Sequence, residues 1–204
     1  MSRLVLFDFD GTLTTKDSFP LFIKFCKGNS VFFFGFLLHG FSILLYKLGL
    51  KSGESLKQTV LSWFFKNNSE AELKERGVLF IEYLFEKKLF HSEILQKLVS
   101  ESFQGSTVVV VSASPDIWIE PFCKKFNIRS ISTKLLFENG KFNGRLATRN
   151  CAGKEKAHRI KEAFDLSTIK EIVAYGNSKD DLEMLSIAQE KYWVSSNGKI
   201  KCLI

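Results

Sequence analysis

The chain has 204 residues, of which 45% are hydrophobic and 25% charged, and its formal net charge is +7. These proportions exclude a disordered, collagen-like or fibrous chain, and the length suits one domain, or one domain with a modest insertion. The four cysteines are scattered without a CxxC pair, which argues against a disulfide scaffold or zinc knuckle and favours a reducing, cytosolic setting. The positive charge favours an anionic partner, but no Lys/Arg block or nucleic-acid signature is present, so nucleic acid is not expected.

Three short apolar runs, each ended by polar residues, predict buried strands. The runs lie at 4–7, 107–111 and 172–175. Apolar strands without alternation are typical of a parallel sheet that is covered on both faces. Helical patterns lie at 116–126, 153–164 and 179–188. The sequence therefore predicts an α/β fold with a doubly wound, mostly parallel sheet. The first run begins almost at Met1, which is not the pattern of a signal peptide, and we expect a cytoplasmic protein.

The stretch 16–100 differs from the rest because it has a helical pattern throughout. It is rich in phenylalanine at first and becomes charged and amphipathic from Ser52 onward. We interpret it as a helical cap inserted after the first strand, which leaves 1–15 and 101–204 as the core domain. Within that core, residues 135–144 predict a small hairpin with an Asn-Gly turn.

Residues 28–46 form an uncharged, apolar stretch that is long enough to span a membrane. A single crossing would place strands of one sheet on opposite sides of the bilayer. We therefore expect the stretch either to pack inside the cap or to dip into one leaflet, and Gly35, His39 and Gly40 suit a break between two short helices. Residues 16–66 carry seven lysines and two acids, which leaves peripheral contact of 28–50 with an anionic membrane as an alternative to a buried hairpin.

Two carboxylates follow the first apolar run, in the sequence Asp8-Phe9-Asp10-Gly11-Thr12. Gly11 permits a tight turn, so both acids can face one cavity. One carboxylate can then attack a substrate while the other transfers a proton.

Hydroxyl and lysine side chains are placed where a phosphate could be held. Ser112 ends the second run, and a hydroxyl beside free backbone N–H groups can bind a phosphate oxygen. Lys154 and Lys156 open the helix before the third run, and a lysine there can neutralise an attacking carboxylate and a phosphoryl group. The spacing does not decide between the two lysines.

A cluster of oxygen-bearing side chains follows the third run. It contains Asn177, Asp180 and Asp181. Because the carboxyl ends of parallel strands meet at one edge of a sheet, these residues should face Asp8 and Asp10. Such an oxygen cluster suits a hard cation, and Mg²⁺ fits best.

Taken in order, these segments resemble the haloacid dehalogenase (HAD) superfamily, in its phosphoserine-phosphatase-like branch (subfamily IB). The resemblance covers essentially the whole chain, and the first motif is its most specific part. The matching segments are Phe7-Asp8-Phe9-Asp10-Gly11-Thr12-Leu13-Thr14, Val111-Ser112-Ala113-Ser114, Gly153-Lys154-Glu155-Lys156 and Tyr175-Gly176-Asn177-Ser178-Lys179-Asp180-Asp181. The insertion after the first motif resembles the family's first type of cap.

The resemblance implies an Mg²⁺-dependent phosphomonoester hydrolase. Asp8 would form an aspartyl phosphate, and Asp10 would protonate the leaving group and then activate water. Ser112 and a lysine, by the family's pattern Lys156, would bind the phosphoryl group. The metal ligands would be Asp8, the backbone carbonyl of Asp10, Asn177 and Asp181. The phosphate-binding residues would be Gly11, Thr12, Ser112, Ala113 and Lys154.

One position departs from the family's pattern, since Gly176-Asn177 stands where Gly-Asp is usual. An amide oxygen can ligate Mg²⁺, but one negative charge is lost, and metal affinity should fall unless Asp180 or Asp181 compensates. A catalytically weak relative that only binds a phosphorylated ligand is therefore one alternative. A response-regulator receiver is another, but receivers lack an insertion after the first strand and carry their nucleophile after a later one.

The substrate would be a small phosphorylated metabolite or a lipid phosphate head group. In this superfamily the cap selects the substrate. A Phe-rich cap flanked by lysines is similar to the apolar insertion of bacterial phosphatidylglycerophosphate phosphatases (the C-type proteins) of the same branch. That similarity, together with the apolar stretch at 28–46, adds a lipid-phosphate phosphatase at the membrane surface as an alternative.

Overall fold

The structure is a computed structural model that describes residues 3–203. The strands are β1 (Arg3–Phe7), β2 (Thr107–Pro115), β3 (Arg129–Thr133), β4 (Leu135–Glu138), β5 (Lys141–Leu146), β6 (Glu171–Gly176), β7 (Glu190–Val194) and β8 (Ile200–Leu203). The helices are α1 (Ser18–Leu38), α2 (Gly40–Lys47), α3 (Gly53–Phe65), α4 (Glu70–Glu86), α5 (Ser92–Phe103), α6 (Asp116–Lys125), α7 (Lys154–Ala163) and α8 (Leu182–Ser186).

Six of the strands form one sheet in the order β3-β2-β1-β6-β7-β8. All neighbours in it are parallel except β8, which runs antiparallel to β7 at one edge. Alternate residues of β1 enter the two hydrophobic clusters on the two faces: Val5 and Phe7 join one, and Leu4 and Leu6 the other. The predicted α/β fold with a mostly parallel sheet is confirmed, and the reason is that β1 is apolar on both faces.

Several predicted boundaries differ from the observed ones. The second strand continues through Pro115 instead of stopping at 111, and the helix predicted over 179–188 is a 3₁₀ turn at Lys179–Asp181 followed by the short α8. The hairpin is observed as β4 and β5, joined by Asn139 and Gly140, both with positive φ. The sequence did not predict β3, β7 and β8, because these strands at or next to the sheet edges carry polar residues and make no continuous apolar run.

The segment between β1 and β2 contains α1 to α5 and, among the residues described, no strand beyond isolated bridges. Gly28, at φ +77°, kinks α1 into two parts. The first part packs inward, where Phe22 stacks on Trp118 of α6 with ring centroids 4.5 Å apart. The chain turns again at His39, between α1 and α2, where a break was expected. The division into a 16–100 cap and a core of 1–15 and 101–204 stays a prediction.

Candidate active site

A cavity of about 340 Å³ opens at the carboxyl ends of β1, β2 and β6. Ligands bind at this edge in open α/β sheets. The main chain brings the first and last of the predicted segments together there, since the Asp8 N–H donates to the Tyr175 carbonyl at 2.9 Å. The lining residues are Asp8, Asp10, Asp17, Phe19, Tyr46, Gly53, Leu56, Lys57, Ala113, Ser114, Asn150, Lys156, Ser178 and Asp180.

Asp8 lies at the bottom of the cavity in contact with a buried lysine. Lys156 Nζ donates to Asp8 Oδ1 and to Asp181 Oδ1, both at 2.6 Å, and Lys156 is only 1% exposed. Burial raises the pKa of Asp8 to about 7, although Lys156 acts in the opposite direction. For Lys156, burial disfavours the charge, but Asp8 and Asp181 outweigh it and raise the lysine pKa. The lysine stays charged and holds a carboxylate that it partly neutralises.

Asp181 uses both of its oxygens within the protein. Oδ1 accepts from Lys156, and Oδ2 accepts from the backbone N–H groups of Asn177 and Ser178 and from the Ser178 hydroxyl, at 2.9 to 3.1 Å. Burial acts to raise the pKa of Asp181, but Lys156 and these hydrogen bonds lower it overall. The geometry thus places Asp181 behind Lys156, where it positions the lysine and the 177–178 turn. Both of its oxygens already accept hydrogen bonds within the protein, and its role as a metal ligand stays a prediction.

Asp10 lines the cavity beside Asp8 and is held by two short hydrogen bonds. Its Oδ1 accepts from the backbone N–H of Ser18, and its Oδ2 accepts from the Ser114 hydroxyl, each at 2.6 Å. The Ser18 donor belongs to the first turn of α1. The start of the helical insertion is therefore tied directly to the second carboxylate of the first motif.

Three oxygen-bearing groups converge beside Asp8. One terminal atom of the Asn177 amide lies 3.2 Å from Asp8 Oδ2, 3.0 Å from the Asp10 carbonyl oxygen and 3.1 Å from Thr12 Oγ1. If that atom is nitrogen, which is the orientation that satisfies the surrounding contacts, its two N–H groups are shared among these three acceptors. If it is oxygen, three oxygens face one another while the Thr12 hydroxyl donates to the amide, and a cation between the oxygens would offset their repulsion.

The donor chemistry at this point fits Mg²⁺. A carboxylate, a carbonyl and an amide oxygen are all hard donors, and the Asn177 amide can turn its oxygen toward the other two. Among residues 3–203, no group of three or more His, Cys, Asp and Glu side chains could hold a metal ion. A cation here would depend on one side-chain carboxylate, with the rest from neutral oxygens.

Gly11 makes this convergence possible. Its φ is +79°, and a Cβ there would lie 2.2 Å from Asn177 Nδ2. Any side chain would strain the backbone and displace the amide. Gly11 therefore shapes the turn, and the Thr12 hydroxyl holds Asn177 in place.

The end of β2 supplies the side of the cavity through Ala113, one of the two residues predicted there, whereas the other, Ser112, does not line it. Ser112 is fully buried, and its Oγ accepts from the Ser114 N–H at 3.0 Å. Ala113 and Ser114 line the cavity. Ser114, which donates to Asp10, was not among the predicted site residues, although it stands in the second motif.

The structure separates the two candidate lysines. Lys156 is buried against Asp8, whereas Lys154 is exposed at the first position of α7 and does not line the cavity. This is a consequence of helical geometry, because residues two apart on a helix point in different directions. Asp180 is exposed at the rim.

A model of haloacid dehalogenase-like hydrolases matches residues 5–186, which include all of these positions. The chain belongs to this family.

Other proteins resemble this member of the HAD family over most of its length. Protein CicA from Caulobacter vibrioides (strain NA1000 / CB15N) is 34% identical over 198 residues, which cover 96% of this chain and 87% of CicA. A Bordetella pertussis Tohama I protein of unknown function superposes with a TM-score of 0.80 at 18% identity, over 94% of this chain and 89% of that one. A phosphoserine phosphatase, solved as an analogue of the phospho-aspartyl intermediate, gives a TM-score of 0.64 at 17% identity, over 93% and 85%. The solved structures support the HAD fold.

The roof of the cavity carries a second lysine, Lys57 of α3, which the sequence analysis missed. Its Nζ donates to the Ala113 carbonyl at 2.5 Å and to Asn150 Oδ1 at 2.6 Å. Burial lowers the pKa of Lys57 to about 8, while Asp10 and Asp17 act to raise it. A cation that lines the cavity with neutral oxygens as its hydrogen-bond partners suits an anion. The available signal was its place on the apolar face of α3, next to Leu56 and three residues before Val60.

Proposed function

We propose that this HAD-family hydrolase is a phosphatase that hydrolyses phosphomonoesters through an aspartyl phosphate on Asp8. One observation carries the proposal: the Asp8 carboxylate faces the cavity with Oδ1 bound to a buried lysine and Oδ2 beside a convergence of hard oxygen donors. A carboxylate can approach a phosphate dianion only if positive charge offsets the repulsion. Lys156 supplies one such positive charge, and a cation held by the oxygen donors beside Asp8 Oδ2 could supply a second.

The first step transfers the phosphoryl group to the protein. Asp8 attacks phosphorus, a new P–O bond forms to the carboxylate, and the bond from phosphorus to the ester oxygen breaks. Asp10, protonated for this step, donates its proton to the departing oxygen. Ser114 and the Ser18 N–H keep the Asp10 carboxyl at the cavity wall.

The second step returns the protein to its starting state. Asp10, now ionised, takes a proton from a water molecule as that water attacks phosphorus. The bond between phosphorus and the Asp8 oxygen breaks, which releases inorganic phosphate and restores the carboxylate. Lys156 keeps its charge while Asp8 is esterified because Asp181 remains paired with it.

Three oxygen atoms would hold Mg²⁺: Asp8 Oδ2, the Asp10 carbonyl oxygen and the Asn177 amide oxygen. When bound, the ion supplies positive charge that favours approach of the phosphate and lowers the cost of the developing negative charge. Thr12 and Gly11 keep the Asn177 amide in place. Asp181, in this proposal, positions Lys156 and is not itself a ligand.

The phosphoryl oxygens would be met by Lys156 and by the main chain around Ala113, which lines the cavity. Ser112 lies one residue deeper, and its hydroxyl shapes the turn through Ser114. Lys154 is too exposed to be part of this site and is left out of the proposal.

The substrate belongs to one of two classes, a small phosphorylated metabolite or a lipid phosphate head group. The cavity is small and charged at the floor, while Phe19, Tyr46 and Leu56 line it on the other side. Structural neighbours described as phosphoserine phosphatases support phosphomonoester hydrolysis.

The cysteines at 26, 123, 151 and 202 are free, which supports a cytoplasmic location.

Phosphate release tests this proposal. A panel of phosphoserine, sugar phosphates, nucleotides and phosphatidylglycerophosphate in detergent would be offered with and without Mg²⁺. We expect Mg²⁺-dependent release that Asp8→Asn reduces by about 10³-fold or more, whereas Asp165→Asn, in an exposed loop, leaves it unchanged.

A second variant tests the role of Asp10. Asp10→Asn should slow hydrolysis of alkyl phosphates far more than that of p-nitrophenyl phosphate, whose leaving group needs no proton. Equal loss on both substrates would argue against a general acid. Absence of release from the entire panel would favour the alternative of a ligand-binding relative.

A further inference from the structure

The second part of α1 and the whole of α2 present a broad apolar surface outward. Its members, which we call the hairpin face, are exposed at 44% to 80%: Val31, Phe33, Phe34, Leu37, Leu38, Phe41, Leu44, Leu48 and Leu50. From Phe34 through Leu37, Phe41, Leu44 and Leu48 the spacing is three or four residues, so the face continues along both helices. Exposed apolar surface of this extent marks an interaction site.

The opposite side of the same hairpin is packed on α3, which fixes which face points outward. Gly35 is buried there, and a Cβ on it would lie 2.4 Å from the Phe64 ring and 2.5 Å from the Trp63 ring. Phe36 packs against Phe64 with ring centroids 6.3 Å apart. The hairpin face therefore cannot turn into the interior without losing this contact.

The charged residues within the hairpin's own sequence are of one sign. Between Asp17 and Glu54 the chain has four lysines and no acid. Lys24 and Lys47 are exposed. A symmetric dimer through this surface would bring lysines of one copy toward lysines of the other. An anionic lipid surface offers both the apolar interior and the negative charge that this surface lacks.

The dimensions fit one leaflet. At 1.5 Å per residue, the part of α1 over 29–38 is about 15 Å long and the eight residues of α2 are about 12 Å long. Each is at most half the thickness of the bilayer's hydrocarbon core, which is about 30 Å. The part of α1 before Gly28 is buried in the protein through Phe22 and Ile23, so α1 does not continue as a spanning helix.

We propose that the hairpin face docks on an anionic bilayer and inserts into a single leaflet. Tyr46 and Gly53 line the cavity from this side. Docking would therefore place the mouth of the cavity beside the lipid head groups. The binding itself does not depend on the proposed phosphatase activity, so it can be tested without any substrate.

Vesicle flotation tests the docking. The full chain would be mixed with vesicles of phosphatidylcholine alone or of phosphatidylcholine with phosphatidylglycerol. We expect flotation with the anionic vesicles, weaker at high salt. Leu37→Glu and Phe41→Glu change side chains that are 80% and 72% exposed, so both variants should fold, as circular dichroism would verify. Each should lower the partition coefficient by about tenfold or more.

Two matched controls separate docking from a general loss of apolar or positive character. Phe103→Glu alters a phenylalanine that is 93% exposed at the end of α5, just before β2 and away from the cavity edge, and should float like the native chain. Lys47→Glu should weaken binding to anionic vesicles, whereas Lys97→Glu on α5 should not.

A native chain that stays in the soluble fraction with anionic vesicles overturns the proposal. So does binding that Phe103→Glu reduces as much as Phe41→Glu does. A chain that forms a dimer, which Phe41→Glu dissociates, and that does not float would assign the hairpin face to a second copy instead. Phosphate release from a water-soluble ester has no bearing on these outcomes, so failure of the phosphatase proposal would be seen separately.

Discussion

The floor of the cavity, formed by Asp8, Lys156 and Asp181, and its roof, which carries Lys57, differ in how their charged groups are paired. On the floor, Asp8, Lys156 and Asp181 form a buried chain in which each charge faces its opposite at 2.6 Å. On the roof, Lys57 donates to neutral oxygens and stands among apolar neighbours such as Leu56. The charges of the floor are paired with one another without a substrate. The charge of Lys57 has neutral hydrogen-bond partners, so it can pair with an anionic substrate. In the proposed mechanism, the reaction is carried out by floor residues and the substrate is bound with the help of a roof residue.

The largest effect should come from removing the buried lysine of the cavity floor. Lys156→Met leaves two buried carboxylates without their cation, so we expect activity to fall by about 10³-fold and stability by about 3 kcal/mol. Phosphate release and urea unfolding measure the two losses. Lys154→Met, two residues away and exposed, is the matched control and should change neither. Comparable losses in both variants would mean that the contact with Asp8 is not what matters.

A change in the roof should act on substrate binding. Lys57→Met removes a charge-assisted contact to an anionic substrate and should raise KM by about ten- to a hundredfold with a smaller change in kcat. Steady-state kinetics of phosphate release would show it. Lys51→Met removes a lysine that bonds only to Ser42 and Thr59, and it should leave KM unchanged. A fall in kcat alone would show that Lys57 acts in the reaction step, as proposed for the floor residues, and not in substrate binding.

The same lysine should give the activity a pH dependence. Burial lowers the pKa of Lys57 from 10.5 to about 8, so its charge is present below pH 8 and is lost as the pH rises through that value. Below about pH 7 we expect kcat/KM to fall, because burial raises the pKa of Asp8 to about 7 and the attacking carboxylate must be ionised. Above pH 8 we expect a second fall, which levels off at the ten- to hundredfold loss expected of Lys57→Met. Lys57→Arg keeps the charge and should remove this fall. An identical fall in the arginine variant would assign the titration to another group.

The smallest effect concerns the metal position. Asn177→Asp restores a negative charge beside Asp8 and Asp10, so the Mg²⁺ concentration for half-maximal activity should fall by several-fold to about tenfold. Asp180→Asn tests whether the exposed rim carboxylate compensates in the native chain, and it should raise that concentration if so. An unchanged Mg²⁺ requirement in Asn177→Asp would show that the amide is not a ligand.

Most of the floor could be predicted from sequence because each part follows a short, distinctive segment. The Asp8–Thr12 run ends an apolar strand, and the order of the segments along the chain fixes which strand ends meet. The two metal-site expectations fared differently. Asn177 does lie beside Asp8 and Asp10, but Asp181 is turned toward Lys156 by the tight 177–181 turn, a detail of backbone geometry that spacing does not contain.

The roof could not be predicted in the same way. Lys57 reaches Asn150 across 93 positions of sequence, and only the packing of α3 brings them together. The exposure of Phe41 and Leu37 likewise depends on how the hairpin is laid on Trp63 and Phe64. The apolar stretch was recognisable, but its buried and exposed sides were not, because the tertiary contacts and not the local pattern decide them.

The position of β1 in the middle of the sheet has a consequence for how the chain acquires its structure. β1 is made before the strands that flank it, since Leu4 pairs with Thr107 and Ile172, which are 103 and 168 residues further along. Pairings this distant close slowly. The apolar α1–α2 hairpin is synthesised long before either partner strand exists. During that interval the inward side of α1 also lacks its partner, because Phe22 packs on Trp118 in the folded protein. A nearby lipid surface or chaperone would protect this apolar segment until β2 and α6 have been made.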